Sequence, residues 1–250
     1  MKPVFEVTKY LLPRETHYCP GCSHGIAHRI LMEVLEERGE IGDAIGVSPV
    51  GCSITAHCYL DVDMIESPHG RAPAVATGIK KVHPNAPVFT YQGDGDLASI
   101  GCNELLHVAE RGEPIVTIFI NNAIYGMTGG QMAPTTLIGQ KATTCPYGRE
   151  MSIQGAPMKM CEIISTMDRA VYVERGALDC PQNIMKAKKI LNRAFETAKL
   201  GLGYSFVELL SACPTNWGMT PSKAMDWLRS DMMKYYEVKQ FKCPEEVKDK

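Results

Sequence analysis

Two short polar segments have the residue types needed to hold a metal ion and a diphosphate. Gly93-Asp94-Gly95 follows a predicted strand and opens a helix, and 25 residues separate Gly95 from Asn121-Asn122 at the end of the next strand. Glycines let backbone approach a phosphate closely, and a helix N-terminus offers N–H donors to it. The side-chain oxygens of Asp94 and Asn122, with a backbone carbonyl near Ile124, suit Mg²⁺, which prefers oxygen ligands. The spacing therefore predicts a magnesium–diphosphate site.

The same glycines also fit a loose dinucleotide fingerprint, Gly93-x-Gly95-x-x-Ala98. That motif needs an acidic residue at the end of the next strand to hold a ribose, and asparagines stand there instead. It also binds pyrophosphate without a metal, so the Asp94 carboxylate would repel the ligand. A nicotinamide-dependent oxidoreductase is therefore the weaker alternative.

Four of the ten cysteines fall where a metal site could form. Cys19 and Cys22 form a CxxC pair, whereas Cys52 and Cys213 each follow a predicted strand. Four thiolates can hold a [4Fe–4S] cluster or a structural zinc ion, and the residues alone do not separate these possibilities. A non-catalytic Cys₄ interaction module is a further alternative. The other cysteines are expected to fill core or surface space: Cys58, Cys102, Cys145, Cys161, Cys180 and Cys243.

Several other polar residues flank these segments. His69-Gly70-Arg71 precedes a predicted helix, where the histidine and arginine could face a diphosphate or an anionic substrate, or could only cap the loop. Ser53 stands beside Cys52, and Thr128 and Gln131 follow the asparagine pair, within reach of a cofactor or substrate.

Strands and helices alternate along the chain, which predicts an α/β fold with a parallel, helix-covered sheet. The chain is expected to form a single domain over residues 1–250, with an N-terminal arm (1–18) and a C-terminal helix and charged tail (221–250). The predicted strands are 44–47, 87–91, 114–120, 170–173 and 204–210. The predicted helices are 23–38, 72–82, 97–110, 182–200 and 221–238, and 126–160 is predicted to be mostly loop. Ligands of such sheets bind at the carboxyl ends of the strands, where all the polar segments fall.

The composition excludes several other classes. Hydrophobic residues make up 45% of the 250 residues, and 26 Lys and Arg stand against 28 Asp and Glu, so neither disorder nor a basic nucleic-acid surface is expected. No run approaches 18 apolar residues, and the first residues lack the apolar segment of a signal peptide. We expect a cytoplasmic protein with reduced cysteines and no membrane span.

The segment from Gly93 to Gln131 resembles the thiamine-diphosphate motif of 2-oxoacid:ferredoxin oxidoreductases, and more narrowly that of their beta subunit. The likeness includes Asn121-Asn122-Ala123-Ile124-Tyr125-Gly126-Met127, and its most specific part is the tail Thr128-Gly129-Gly130-Gln131. It extends from about Cys19 to Cys213. The resemblance implies the thiamine-diphosphate-binding fold. It also implies a [4Fe–4S] cluster on Cys19, Cys22, Cys52 and Cys213, and Mg²⁺ on Asp94, Asn122 and Ile124.

The residues implied to contact the cofactor fall in five separate segments of the chain. They are His24, Cys52, Ser53, His69, Gly93, Asp94, Gly95, Asp96, Asn122, Ile124, Tyr125, Gly126, Met127 and Thr128.

The resemblance implies oxidative decarboxylation of a 2-oxoacid to an acyl-coenzyme A, with electrons passed through the cluster to ferredoxin. It implies that an alpha subunit supplies the glutamate that activates the thiamine ring, so that no catalytic residue is assigned in this chain, and that gamma and ferredoxin-like delta subunits complete the complex. Tyr125-Gly126-Met127-Thr128 resembles the 2-oxoglutarate and 2-oxoisovalerate groups more than the pyruvate group. A non-redox thiamine enzyme with a zinc site is the remaining alternative within this fold.

Overall fold

The computed structural model describes residues 6–250. Seven strands form one sheet in the order β2-β1-β3-β4-β6-β5-β7. Six strands pair in parallel, and β7 pairs antiparallel with β5 at one edge. The strands are β1 Ile45–Ser48, β2 Asp63–Glu66, β3 Val88–Gly93, β4 Val116–Asn121, β5 Ala170–Ala177, β6 Tyr204–Leu210 and β7 Gln240–Lys242. The predicted parallel sheet is confirmed.

Helices cover both faces of this sheet. They are α1 His24–Glu37, α2 Ala72–Val82, α3 Cys102–Arg111, α4 Met151–Gln154, α5 Met160–Ile164, α6 Pro181–Lys199, α7 Pro214–Trp217, α8 Pro221–Trp227 and α9 Met233–Tyr235. Two π-helical turns, Asp96–Ile100 and Leu228–Met232, lie before α3 and between α8 and α9. Among residues 6–250, no helix combines the length and apolar character needed to cross a membrane.

The two faces of the sheet carry separate apolar layers because successive side chains of a strand point to opposite sides. Phe89, Tyr91 and Ile118 pack with α1 and α6 on one face. Val88 and Phe119 pack with α2 and α3 on the other. The central strands are buried on both sides, which explains why they read as continuous apolar runs in the sequence.

Most of the predicted elements are confirmed, with corrections where local signals are weak. The predicted helix 97–110 is a π-helical turn followed by α3, and the predicted helix 221–238 is broken by its own π-helical turn. β2 was not predicted because it is a largely exposed edge strand without an alternating apolar pattern. The predicted charged tail contributes β7, whose pairing with β5 a local pattern does not reveal.

The register of the sheet places the polar segments side by side. Gly93 of β3 pairs with Ile120 of β4, and Asn121 pairs with Leu210 of β6. Asp94 and Asn122 therefore leave neighbouring strands at the same edge. The loop after β1 opens there as well, since Val47 pairs with Thr90.

Candidate functional site

The structure brings all fourteen residues predicted to contact a cofactor into the wall of one cavity, whose remaining lining residues are Val50 and Gly51. The cavity opens at the carboxyl ends of β1, β3 and β4, the edge where parallel sheets bind ligands. We refer to it as the diphosphate cavity. The wall combines a carboxylate, an amide side chain and several glycines, as the sequence predicts for a metal–diphosphate site.

Asp94 lies at the base of the diphosphate cavity and is 2% exposed. Its Oδ1 accepts a hydrogen bond from the Gly95 N–H at 2.8 Å, and its Oδ2 accepts one from the Thr135 hydroxyl at 2.5 Å. Burial raises the pKa of Asp94 to about 7, against the lowering effect of hydrogen bonds from Thr135 and from the backbone of Gly95, Ala123 and Ile124. A buried carboxylate with no cationic partner among these contacts is suited to a bound cation.

Asp96 also lines the cavity but is already occupied by protein groups. Oδ1 accepts hydrogen bonds from the Gly70 N–H at 2.6 Å and from the ring of His69, and Oδ2 accepts one from Gln92 at 2.6 Å. Asp96 therefore fixes the 69–70 loop against the site. Arg71, which was predicted as a possible anion contact, pairs instead with Glu104 on α3 and is not in the cavity wall.

The turn after β4 presents the second half of the cavity wall. Asn122 is 6% exposed, and its Oδ1 accepts a hydrogen bond from the Ile124 N–H at 3.2 Å. Between them, Ala123 has a φ of 57°, and among residues 6–250 it is the one non-glycine residue with a positive φ. Thr128 lines the cavity, whereas Gln131 is not in its wall and accepts a hydrogen bond from the Thr128 hydroxyl at 2.5 Å.

The four cysteines of the predicted cluster lie together around a second cavity of about 200 Å³, which we call the cysteine cavity. Its wall also includes His17, Tyr18 and Asn216. A Cβ atom added to Gly126 would stand 3.3 Å from the Cys52 Sγ and 3.7 Å from the Cys213 Sγ, so a side chain there would crowd the first sulfur and touch the second. Gly126 thus lets the turn after β4 pass between the two cavities.

The thiols are close enough to influence one another electrostatically. Burial and the neighbouring thiols of Cys213 and Cys52 raise the pKa of Cys22 to about 12. Burial and the thiols of Cys213 and Cys19 raise the pKa of Cys52 to about 11. Within residues 6–250, no three His, Cys, Asp or Glu side chains converge on a position for a single metal ion.

The remaining cysteines lie outside both cavities, as predicted. Cys145 and Cys161 are buried, and the other four are half-buried. Burial raises the pKa of Cys161 and Cys102, which is the behaviour of inert packing residues.

Histidines and tyrosines pack beneath the two cavities. The His24 ring, which lines both, has its Nδ1 2.7 Å from the Tyr91 hydroxyl and stacks on Tyr18 with ring centroids 4.8 Å apart. Burial lowers the pKa of His24 to about 4, so that this ring is neutral near pH 7. His28 lies one turn further along α1 against Tyr59 and Tyr91.

The buried His28 is expected to make the folded chain less stable in acid. Burial, and then the neighbouring His24 and His17, lowers its pKa to about 3, and the rings of Tyr18, Tyr59 and Tyr91 pack around it. The unfolded chain binds a proton near pH 6.5 while the folded chain does not, so stability falls by about 1.4 kcal/mol for each pH unit below 6.5. His28→Gln should therefore show a smaller drop in Tm between pH 7 and pH 5 than the parent chain.

The exposed His107 provides a control for this experiment. His107→Gln should leave the drop in Tm unchanged. An equal drop in the His28→Gln variant and the parent chain would contradict the prediction.

Several residues of the site were not predicted from the sequence. Thr135 holds Asp94, Trp217 donates its Nε1–H to the Asn122 carbonyl at 3.0 Å, and the Asn216 side chain donates to the Gly126 carbonyl at 2.8 Å and lies 3.3 Å from the Cys213 Sγ. Thr135 is 41 residues away from Asp94 in sequence. No local sequence pattern indicates a contact over this distance. The one available signal was that Thr135 lies in a threonine-rich loop.

Comparison with known proteins agrees with this geometry. Residues 49–208 match the family model described as thiamine pyrophosphate enzyme, C-terminal TPP binding domain. Ketoisovalerate oxidoreductase subunit VorA of Methanothermobacter thermautotrophicus is 46% identical over 239 residues, which cover 96% of this chain and 50% of that protein. The 2-oxoglutarate synthase subunit KorB of Methanocaldococcus jannaschii is 40% identical over 203 residues, which cover 80% of this chain and 70% of that protein.

A solved structure shows the same fold. A chain of the 2-oxoglutarate:ferredoxin oxidoreductase from Magnetococcus marinus, with 2-oxoglutarate, coenzyme A and succinyl-CoA bound, superposes with a TM-score of 0.75 at 29% identity. The match covers 90% of this chain and 73% of that one. The present chain spans about half the length of the VorA relatives it matches.

Proposed function

Because this chain belongs to the thiamine-pyrophosphate-binding subunits of the 2-oxoacid oxidoreductases, we propose that it binds thiamine diphosphate with Mg²⁺ in the diphosphate cavity and a [4Fe–4S] cluster in the cysteine cavity. Within a complex it would then convert a 2-oxoacid and coenzyme A to an acyl-CoA and CO₂, with two electrons passed one at a time to ferredoxin. Bound thiamine diphosphate supplies the carbon nucleophile and electron sink for this chemistry.

One observation carries the proposal: the two cavities share a wall. His24, Cys52, Asn122, Gly126 and Met127 line both of them. A donor held over Asp94 and an acceptor held by the cysteines would lie on either side of Gly126. Electron transfer between them needs this closeness, whereas a distant structural metal site does not.

The residues of the diphosphate cavity fit a cation and a diphosphate. Asp94 and Asn122 offer hard oxygen donors, with the backbone carbonyl of Ile124 as the third proposed ligand. A Cβ added to Gly95 would stand 2.3 Å from the Tyr125 ring, so this turn needs a residue without a side chain. The nicotinamide alternative has no comparable use for a buried Asp94 between the glycines.

The cysteine cavity fits a cluster better than a zinc ion. Zinc draws its four sulfurs to about 2.3 Å from one point. The four cysteines here line a cavity of about 200 Å³ together with seven other residues, and this cavity has room for a group of several atoms. The size of the cavity supports an iron–sulfur cluster, and hence a redox enzyme, over a non-redox thiamine enzyme with a structural zinc ion.

A partner is proposed to complete the active site. Among the described residues, Asp94 and Asp96 are the carboxylates in the walls of the two cavities. We assign Asp94 to the cation, and His69, Gly70 and Gln92 already hold Asp96. We infer that the glutamate that activates the thiamine ring comes from an alpha subunit. Gamma and ferredoxin-like delta subunits are proposed as further partners, in keeping with relatives that are named as subunits.

The test starts with iron and acid-labile sulfide in the anaerobically purified chain, with EPR spectra after dithionite reduction. About four irons and four sulfides per chain, with a signal from a reduced cluster, are expected. The chain with its alpha partner should then reduce a dye in the presence of coenzyme A and a 2-oxoacid. The names of the relatives make 2-oxoisovalerate the first substrate to assay and 2-oxoglutarate the second. Zinc without sulfide would remove electron transfer from this chain.

Gly95→Ala should weaken binding of thiamine diphosphate with Mg²⁺ by about tenfold or more. The new methyl group meets the Tyr125 ring, and Tyr125 is held by backbone hydrogen bonds with Gln131 and Gly130. Overpacking of this kind typically costs 1–3 kcal/mol. Calorimetric titration of the cofactor measures the effect.

Gly78→Ala is the matched control for this variant. Gly78 lies in α2, and a Cβ there would meet nothing within 4 Å. The control should bind the cofactor like the parent chain. Equal affinity in the Gly95→Ala variant would show that the ligand does not approach this turn.

A further inference from the structure

We propose that two consecutive threonines of the long loop after β4, Thr135 and Thr136, are positioning residues that hold both halves of the cation site. We call this pair the threonine clamp. The inference rests on the proposed function, since the cation site is the one assigned above. The loop would then determine how Asp94, Asn122 and Ile124 are oriented toward the cation.

The first arm of the clamp holds Asp94. The Thr135 hydroxyl donates to the Asp94 Oδ2 at 2.5 Å, and both side chains are buried. The other carboxylate oxygen is held by the Gly95 N–H at 2.8 Å. These hydrogen bonds, together with those from the backbone of Ala123 and Ile124, fix the orientation in which the carboxylate would meet a cation.

The second arm holds the Ala123 peptide. The Ala123 carbonyl accepts hydrogen bonds from the Thr136 hydroxyl at 2.7 Å and the Gln140 side-chain amide at 3.1 Å. The Ala123 N–H donates to the Asn121 Oδ1 at 3.1 Å. The peptide groups on both sides of the Ala123 Cα are therefore fixed by side chains.

This fixation matters because Ala123 has a φ of 57°. The left-handed conformation costs roughly 1–2 kcal/mol for a residue with a Cβ. Ala123 stands between Asn122 and Ile124, the two proposed ligands on this strand end. If Ala123 relaxed to a negative φ, the two ligands could no longer face the same cation.

The clamp is itself anchored in the protein. The guanidinium of Arg149 is buried and donates to the Thr136 carbonyl at 2.7 Å and to the Pro134 carbonyl at 2.8 Å. The Tyr236 hydroxyl donates to the Thr135 carbonyl at 2.5 Å. On the other side, Asn121 donates to the buried Glu208 at 2.7 Å. These hydrogen bonds hold the loop in place, and the loop in turn holds Asp94 and the Ala123 peptide at the cation site.

The test uses the full chain and calorimetric titration of Mg²⁺ with thiamine diphosphate in excess. Thr136→Val removes the hydroxyl at nearly constant volume. The Ala123 carbonyl then keeps Gln140 as its one side-chain partner, and the Ala133 N–H, which donates to the Thr136 hydroxyl at 2.9 Å, loses its acceptor. We expect Mg²⁺ binding to weaken by about five- to tenfold. Thr136→Ser keeps the hydroxyl and should bind Mg²⁺ like the parent chain.

Rescue distinguishes positioning from general support of the fold. Glycine adopts a positive φ without the cost of a Cβ, so Ala123→Gly added to Thr136→Val should restore the affinity to within about twofold of the parent value. A purely structural role predicts that the two substitutions add, which would overturn the inference. Unchanged affinity in Thr136→Val would overturn it as well.

If Thr136→Val does not fold, Gln140→Leu removes the other side-chain hydrogen bond to the same carbonyl, together with the one that Gln140 Oε1 accepts from the Leu137 N–H at 2.9 Å. Ala123→Gly should rescue Mg²⁺ binding in this variant in the same way. Failure of the proposed function looks different, because the parent chain itself would not bind Mg²⁺ with thiamine diphosphate.

Discussion

Asp94→Asn is expected to abolish Mg²⁺-dependent binding of thiamine diphosphate, with Kd raised at least about 100-fold. The substitution keeps the shape of the side chain and its neighbours Gly95 and Thr135. It removes the negative charge that would offset the cation in a site where both are withdrawn from water. Calorimetric titration with and without Mg²⁺ measures the change.

The same variant should not unfold the cofactor-free protein. The carboxylate of Asp94 is buried, and the hydrogen bonds that hold it come from neutral groups. Burying an unpaired charge is costly, so an amide in its place should leave the Tm of the cofactor-free chain equal or higher. A large fall in Tm would indicate that Asp94 supports the fold instead of a ligand.

Asp96→Asn is the matched control because Asp96 lies two residues away in the same cavity wall. The hydrogen bonds from Gly70, His69 and Gln92 already hold its carboxylate. The amide should lower the thermal stability of the 69–70 loop region and change the Mg²⁺ affinity much less than Asp94→Asn does. The nicotinamide alternative predicts a different outcome, in which Asp94→Asn leaves nucleotide binding unchanged.

The parts of the site predicted from the sequence depend on local order. Asp94 and Asn122 each follow a buried apolar strand directly, so the topology of a parallel sheet sets them side by side once the strands are recognised. Cys52 and Cys213 follow strands in the same way. These residues are far apart in sequence, and predicting that they lie close together needs only the rule that neighbouring parallel strands end at the same side of the sheet.

The unpredicted parts depend on how the long loop folds back. Thr135 of this loop, and Trp217 of α7, contact the site through hydrogen bonds that no periodic pattern marks. The left-handed Ala123 is not marked by a glycine or an asparagine at its own position. The edge strand β2 escaped prediction for a related reason, since its exposed residues do not alternate. At Thr135, Trp217 and Ala123, hydrogen bonds between distant parts of the chain decide the structure, and the local sequence preference does not.

Cys213→Ser is expected to reduce the iron and sulfide content of the anaerobically purified chain from about four of each to near zero. Cys213 lies at the N-terminal end of α7, and a Cβ on Gly126 would be 3.7 Å from its sulfur. A serine oxygen is a poor ligand for a cluster that prefers thiolates. Metal analysis and the EPR spectrum after reduction measure the loss.

Cys102→Ser provides the control for this loss, because Cys102 is a half-buried thiol that begins α3 away from both cavities. It should retain the full iron content. Loss of thiamine diphosphate binding together with iron in Cys52→Ser, but not in Cys19→Ser, would follow from the wall that Cys52 shares with the diphosphate cavity. Full iron in Cys213→Ser would show that the four cysteines do not hold one cluster, and the electron path proposed across Gly126 would then have no acceptor.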